Sequence, residues 1–172
     1  PGTTRDAVRV PLERDGKRYV LIDTAGIRRK ARVGEGLEKF SVIKALQAME
    51  AAQVVVLMLD AQQGFADQDA HILGEVLRSG RALVLAINKW DGLSTRERTQ
   101  VTSRLDWGLG FVDFAKRVPI SALHGSGLGE LLKAVHQAHK AGTREFSATE
   151  LTKTINEAFE KHQPPLVNGR TA

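Results

Sequence analysis

The chain has 172 residues, 42% hydrophobic and 26% charged, which is enough to bury one core and part of a second. Without a cysteine, neither a disulfide framework nor a cysteine-based metal site can form. The longest apolar run, Val54–Leu59, is far too short to span a bilayer, so the composition favours a globular intracellular protein without a membrane partner. The formal net charge of +5 is compatible with an RNA partner but also with none.

Strands and helices alternate along the chain, which predicts an α/β fold with a mostly parallel sheet wrapped by helices. The first two strands are expected to form a hairpin across Asp15-Gly16. The predicted strands are Val8–Glu13, Arg18–Ile22, Val54–Asp60, Ala82–Ile87 and Val118–Ile120. The predicted helices are Glu38–Met49, a helix capped by Asp67 and ended by Gly80, Ser94–Leu105, Gly127–Lys140 and a final helix opened by a capping box at Ser147–Glu150. The side chains of Met49, Met58 and Trp107 are expected in the core.

The sequence Asn88-Lys89-Trp90-Asp91 directly follows the apolar strand 82–87. A carboxylate three positions after an asparagine can read guanine, because it accepts hydrogen bonds from the N1–H and N2–H₂ groups, a pair of donors that adenine lacks. Asn88 is expected to brace the loop and meet the base edge, and the methylenes of Lys89 to cover the ring. The same residues would also make an ordinary polar turn. Their place at the carboxyl end of a strand favours nucleotide binding.

A second motif, Asp23-Thr24-Ala25-Gly26, ends the strand 18–22. Asp23 is placed to hold a magnesium ion through water. Gly26 lacks a Cβ, so its backbone N–H can come close to a terminal phosphate. The alternative is a common Asp/Gly turn after a strand.

Two weaker motifs complete the set. Thr3 and Thr4 lie in the opening Pro1–Asp6, where a threonine hydroxyl on a loop can ligate magnesium while a γ-phosphate is present. The alternative is a frayed, turn-rich terminus. After the strand 118–120, the small residues of Ser121-Ala122-Leu123 would let a backbone N–H reach the guanine O6. The intervals between the motifs fit the intervening helices and strands, in the order that a guanine-nucleotide switch domain needs.

These motifs resemble switch I, switch II, the base-recognition motif and the guanine-backing motif of translation-factor-related GTPases. The opening Pro1–Asp6 resembles the branch that contains Era, the tRNA-modification GTPase MnmE and EngA, also called Der. The stretches Ile27–Arg32 and Glu38–Leu46 are similar to the second of the two tandem GTPase domains of EngA. The tail Ser147–Gly169 resembles the start of the KH-like domain of that family.

The resemblance implies a P-loop NTPase-type fold, GTP or GDP with Mg²⁺ as ligands, K⁺ as a further cofactor of the intact protein, and a role as a nucleotide switch in assembly of the large ribosomal subunit. It implies partners in that subunit and its rRNA, no DNA partner and a place in the bacterial cytoplasm. Thr4 and Asp23 would hold the metal. The residues that would contact the nucleotide are Thr3, Thr4, Asp23, Thr24, Ala25, Gly26, Ile27, Asn88, Lys89, Asp91, Ser121, Ala122 and Leu123.

Two departures from the family pattern matter. Ile27 occupies the position where many small GTPases have a glutamine that orients the attacking water, so we name no catalytic base in this chain. The phosphate-binding motif Gly-x-x-x-x-Gly-Lys-Ser/Thr does not occur, and the family would place it before Pro1. We therefore expect a fragment, with a GTPase domain at 1–141 that lacks its P-loop strand and helix, and an incomplete KH-like domain at 142–172. The parent protein should hydrolyse GTP, while the chain alone should bind nucleotide weakly.

Other functions share part of this pattern. A tRNA-modification or Era-type GTPase would have the same nucleotide motifs, and a non-catalytic RNA-binding scaffold could keep the same fold. The basic cluster at 28–32, with Arg28, Arg29, Lys30 and Arg32, is either a solvated loop or a contact for RNA phosphates that follows the nucleotide state.

Overall fold

The structure, a computed structural model, describes residues 8–23, 46–161, 166–167 and 170–171, and at positions 8, 23, 166–167 and 170–171 it describes the backbone alone. It divides into two compact units, Pro1–Gly142 and Thr143–Ala172. Within the described residues, no helix is both long and apolar enough to cross a membrane.

The first unit begins with the predicted hairpin. Strand β1, Val8–Arg14, pairs antiparallel with β2, Lys17–Asp23, and Arg14 lies opposite Lys17. The two turn residues, Asp15 and Gly16, have φ angles of 52° and 69°. Such left-handed pairs form tight turns whose twist matches that of the flanking strands. The Asp15-Gly16 signal therefore fixed both the turn and the register, and the hairpin prediction is confirmed.

A parallel sheet forms the centre of the first unit. It contains β3, Val54–Asp60; β4, Ala82–Asn88; and β5, Lys116–Pro119, in the order β3-β4-β5 with all strands parallel. Residues 83–87 of β4 are all buried, as expected for a central strand that is covered on both faces. The predicted α/β architecture with a parallel sheet is confirmed.

Helices cover both faces of this sheet. One face packs a cluster that includes Leu59, Leu73, Leu85 and Leu109, and the other packs Val84, Ala86, Ile120 and Ala134. The helices of the first unit are α1, residues 46–51; α2, Asp67–Arg78; α3, Thr95–Gly108; and α4, Leu128–Gly142, with short 3-10 helices at Trp90–Gly92 and Gly110–Val112. Of the predicted helix at 38–49, the part before residue 46 lies outside the described residues.

The predicted cap of α2 is wrong in one respect. Asp67 is the first helical residue, and the N-cap position belongs to Ala66. The backbone N–H of Ala66 donates to the Asp69 carboxylate at 3.0 Å, and Asp69 is 1% exposed. A carboxylate at the third helical position reaches back to the cap, which is the second half of a capping box. The predicted end is confirmed, because Gly80 follows the helix with a φ of 64°.

Two of the three predicted core side chains are not in the core. Met49 is buried, but Met58 is 49% exposed and Trp107 is 91% exposed. Met58 lies between Leu57 and Leu59, which face the opposite side of the strand, as alternation requires. Trp107 is two residues beyond the buried Leu105, a rotation of about 200° around the helix, and so it faces solvent.

The second unit contains helix α5, Ala148–Lys161, and a two-stranded antiparallel pair of β6, Leu166–Val167, with β7, Arg170–Thr171. The capping box predicted at the start of α5 is confirmed. The Ser147 hydroxyl accepts from the Glu150 N–H at 3.2 Å, and the Glu150 carboxylate accepts from the Ser147 N–H at 3.0 Å. Hydrogen bonds from the backbone and hydroxyl of Ser147 lower the pKa of Glu150.

Candidate functional site

The loops that follow β3, β4 and β5 are tied together at one edge of the sheet. The N–H of Ala61 donates to the Asn88 carbonyl at 3.0 Å, and the N–H of Ile120 donates to the Ile87 carbonyl at 2.8 Å. The N–H of Trp90 then donates to the Ile120 carbonyl at 3.1 Å. These backbone bonds make the carboxyl ends of three parallel strands into one rim, where open α/β sheets bind their ligands.

Asn88 joins two of the predicted motifs through its side chain. Its Oδ1 accepts from the N–H of Lys89 at 2.8 Å and from the N–H of Ala122 at 2.9 Å. Residues 88–91 and 121–123, which are far apart in the sequence, are therefore held side by side. Because the Ala122 N–H is donated to Asn88, the next N–H of that loop, from Leu123, is the candidate donor for a guanine O6.

Lys89 has a backbone φ of 63°, which is uncommon for a residue with a side chain and is found where the surrounding structure holds it. It precedes the 3-10 helix Trp90–Gly92 and so sets the direction in which Asp91 leaves the strand. Its Nζ lies 2.7 Å from Oδ2 of Asp60, whose side chain is only 12% exposed. The predicted role of the Lys89 methylenes against a ring is compatible with this anchored head group.

Asp60 is a residue of the rim that the sequence analysis did not single out. Burial raises the pKa of its carboxyl, but hydrogen bonds from Lys89 and from the backbone of Gln62 outweigh burial and hold the pKa below its usual value. The Gln62 N–H donates to Oδ1 at 2.9 Å. A signal was available, because Asp60 ends a predicted strand just as Asp23 does, and the ends of parallel strands meet at one edge.

Asp91 projects from the rim with its carboxylate 38% exposed. A hydrogen bond from the Ser121 hydroxyl is the largest cause that lowers the pKa of Asp91, and its own backbone N–H, His124 and Arg98 act in the same direction. The carboxylate is therefore ionised near neutral pH. Nε2 of His124 lies 3.3 Å from Oδ2, a contact that sequence reasoning also missed. No sequence pattern marks His124, since only its position in the loop after Ser121 brings it there.

The loop from Ser121 to Gly127 presents these groups. The Ser121 N–H donates to the Ser126 carbonyl at 3.0 Å, and the Gly125 N–H donates to the Ser121 carbonyl at 2.8 Å. The N–H of His124 donates to the Ser121 hydroxyl at 3.2 Å, and Ser121 is 1% exposed. The loop backbone thus holds the Ser121 side chain, whose hydroxyl lowers the pKa of Asp91.

The arrangement suits a flat ligand that has two adjacent N–H donors. The ionised Asp91 offers acceptor oxygens to such an edge, and Asn88 lies at the end of β4, three residues before it. Leu123, which is 86% exposed, offers an apolar surface on the same loop as Ser121. A ring with a hydrophobic face and polar edges combines these requirements.

The remaining predicted site residues are not placed by the structure. Asp23 ends β2, but its side chain lies outside the described part of the chain. Among the residues that are described, no group of three or more histidines and carboxylates is arranged to hold a metal ion. Outside the described residues lie Thr3, Thr4, Thr24, Ala25, Gly26, Ile27 and the basic cluster at 28–32.

Comparison with known proteins gives a family match. The model of the family described as 50S ribosome-binding GTPase matches residues 1–89, just over half of the chain. The chain is 56% identical over 170 residues to "GTPase Der" of Shewanella amazonensis and 54% identical over 170 residues to "GTPase Der" of Escherichia coli. Each match covers 99% of this chain and 35% of the relative, so the chain spans about a third of the length of these relatives. The resemblance predicted from the motifs is confirmed.

Solved structures agree on the fold. Era, in complex with MgGDPNP and nucleotides 1506–1542 of 16S ribosomal RNA, aligns with a TM-score of 0.67 and 26% identity, over 80% of this chain and 45% of that chain. The translation elongation factor SelB of Methanococcus maripaludis, in complex with a GTP analogue, aligns with a TM-score of 0.63 over 84% of this chain and 30% of that chain. Its identity is 18%, so this second likeness concerns the fold alone.

Proposed function

We propose that this chain, which belongs to the family of 50S ribosome-binding GTPases, supplies the guanine-reading part of an enzyme that hydrolyses GTP to GDP. The enzyme would act as a nucleotide switch in assembly of the large ribosomal subunit. The much higher identity to the GTPase Der relatives than to Era favours this function over that of an Era-type protein.

One observation carries the proposal: the ionised Asp91 leaves β4 at a rim where the Asn88 side chain holds residues 88–91 beside the loop that begins at Ser121. In this arrangement Asp91 would accept from guanine N1–H and N2–H₂, and the Leu123 N–H would donate to O6. Leu123 and the stem of Lys89 would cover the ring faces. Adenine would leave the carboxylate without donors, which makes the wrong base costly.

The phosphate side of the site is proposed from the sequence. Asp23 and Thr4 would hold Mg²⁺, because a carboxylate and a hydroxyl supply the oxygen ligands that this ion prefers. The contacts with the terminal phosphate and the switch II segment would come from Thr3, Thr24, Ala25, Gly26 and Ile27. Era, which is 26% identical to this chain in the aligned part, was solved in complex with MgGDPNP, and this supports the assignment. Dependence on K⁺ belongs to the same proposal, and replacing K⁺ by Na⁺ in a turnover assay tests it.

Base recognition is tested by Asp91→Asn in the full-length protein. Asparagine presents an N–H₂ group where guanine also presents one, so we expect affinity for GDP to fall about 100-fold or more. Xanthine has a carbonyl in place of the 2-amino group and can accept from that amide, so affinity for XDP should rise. Isothermal titration with GDP, XDP and ADP measures both changes.

The matched control is Asp113→Asn, which neutralises an exposed carboxylate elsewhere in the same unit. It should leave GDP affinity unchanged. If Asp91→Asn keeps the original preference for GDP over XDP and ADP, guanine is not read at this position and the proposal is wrong.

We also propose that the large ribosomal subunit and its rRNA are the partners, with the bacterial cytoplasm as the place of action. The family description, the bacterial relatives and the net charge of +5 support this. The assignment of residues 142–172 to the beginning of a KH-like domain remains part of the proposal, and so does RNA contact by the basic cluster at 28–32.

A further inference from the structure

Asp91 already has a protein partner at an oxygen that a guanine edge would use. Nε2 of His124 lies 3.3 Å from its Oδ2. The Ser121 hydroxyl and the backbone N–H of Asp91 also lower the pKa of this carboxylate. A guanine edge would add two donors, N1–H and N2–H₂, to a carboxylate that has about four lone-pair directions. We therefore expect a protein group to give way when guanine arrives.

The structure indicates which group leaves. Ser121 is 1% exposed and is itself held by the His124 N–H, and the Asp91 backbone is fixed by the 3-10 helix Trp90–Gly92. The His124 side chain is 63% exposed and touches Oδ2 at 3.3 Å. Its imidazole can turn into solvent without disturbing the loop backbone.

We propose that His124 competes with the guanine base for Asp91 and thereby weakens the affinity of the site for guanine nucleotides. This rests on the proposed function of Asp91 as the base-reading residue. Displacement of the imidazole then accompanies binding, and its return favours release. Arg98, a residue of α3, also acts on Asp91 through longer-range attraction.

The expected size of the effect is small but measurable. Ion pairs between exposed side chains contribute little, so removing the competitor should tighten binding about two- to fivefold. A permanent charge on a long side chain at the same position should compete more strongly than imidazole. Affinity for GDP should therefore follow the order His124→Ala, then wild type, then His124→Arg as the weakest binder.

The experiment uses isothermal titration of the full-length protein with GDP. His136→Ala, an exposed histidine on α4, is the matched control and should bind as the wild type does. The rate of GDP release, measured by chase of a fluorescent GDP, should fall in His124→Ala by a similar factor. If His124→Ala binds GDP more weakly than the wild type, the imidazole supports the carboxylate and the proposal is overturned.

A second background shows that the effect acts through Asp91. In Asp91→Asn, titrated with XDP, the carboxylate that His124 contacts is gone, so histidine and alanine at position 124 should give the same affinity within error. A persistent difference there would mean that His124 acts elsewhere, and would overturn the proposal. If the wild type binds GDP and loses it in Asp91→Asn, but His124→Ala is not tighter, only this inference fails. If the wild type does not bind GDP, both proposals fail.

Discussion

The side chains of the rim are positioned by one another rather than by the strands that carry them. Lys89 adopts a left-handed backbone conformation, which a non-glycine residue keeps only when its surroundings hold it. Two groups do so: the Asn88 carboxamide accepts its N–H, and the Asp60 carboxylate pairs with its Nζ. Asp60 also accepts from the Gln62 N–H, so one carboxylate fixes the ends of both β3 and β4. We infer that Asp60 stabilises the loop at 88–91.

Asp60→Ala should destabilise the first unit by about 1–2 kcal/mol near neutral pH, because a nearly buried carboxylate with two partners is lost. The cost stays low because Lys89 is half exposed and solvent screens the pair. Urea denaturation at pH 7 measures the cost. Asp106→Ala removes the partner of Arg117 where the carboxylate is 63% exposed, and this control should cost less than about 0.5 kcal/mol.

The same pair predicts a pH dependence. The folded state holds the pKa of Asp60 below its ordinary value of 3.8, so the unfolded chain takes up the proton first as the pH falls. The contribution of Asp60 is therefore complete above the unfolded pKa and is lost as the pH drops through the lowered folded pKa. The difference in unfolding free energy between wild type and Asp60→Ala should be constant from pH 7 to about 5 and shrink below 4. A difference that grows on acidification would contradict this assignment.

The positions of Asn88 and Asp91 in the fold were predictable from the sequence, while their role in base recognition stays a prediction. Asn88 and Asp91 were identifiable because a short motif falls at the end of an apolar strand. The role of Asp60 in the rim was not predicted, because an aspartate that ends a strand is common and its partner Lys89 is distant in sequence. The contact of His124 with Asp91 was not predicted either, because it depends on the path of the loop and not on a spacing of residues in the sequence.

At the level of elements, the loop after β5 depends on the backbone of one glycine. Gly127 has a φ of 77°, and a Cβ added there would overlap the Pro119 carbonyl oxygen. It would also lie 3.1 Å from Cα and Cγ2 of Ile120, which is tighter than ordinary contact. Gly125 has a similar φ of 75° but no atom within 4 Å of such a Cβ. Both positions therefore need a positive φ, but only Gly127 is closely packed against other atoms.

This difference predicts the results of two alanine substitutions. Gly125→Ala should cost about 1 kcal/mol, the price of a left-handed conformation for a residue with a side chain. Gly127→Ala should cost about 2–4 kcal/mol, because the overlap with Pro119 is added. It should also weaken GDP binding, since the loop that carries Ser121 must shift. Chemical denaturation and GDP titration measure the two effects, and equal costs at the two glycines would refute the packing argument.

Element boundaries were predictable from turn and cap chemistry, with limits that have physical causes. Asp15-Gly16 fixed a hairpin because both residues accept positive φ. The start of α2 was misread because Asp67 and Asp69 are both acidic, and only the folded backbone shows which carboxylate reaches the Ala66 N–H. Trp107 was expected in the core, but it lies opposite the buried face of α3.

For the whole molecule, the order of the motifs carried most of the information. Three of the four motifs follow a predicted strand, and parallel strands bring their carboxyl ends to one edge, so the rim of β3, β4 and β5 could be anticipated. The backbone bonds that lock this rim could not, because they join residues such as Trp90 and Ile120 whose distance depends on the packed sheet. The net charge of +5 is also a property of the whole chain, and it favours an acidic partner such as RNA.

Association with the large ribosomal subunit should depend on both nucleotide and salt. We expect the full-length protein to sediment with purified 50S subunits in a sucrose gradient when a non-hydrolysable GTP analogue is present, and to dissociate with GDP. Asp91→Asn should not associate with 50S subunits when the guanosine analogue is present, but should do so when the xanthosine analogue is present. Recovery with the xanthosine analogue would show that the variant is folded and has lost only its binding of the guanosine analogue. If about four rRNA phosphates are contacted, affinity should fall about 100-fold between ~50 and ~200 mM KCl. Association that ignores both the nucleotide and the Asp91→Asn substitution would show that the ribosome contact is not switched by this site.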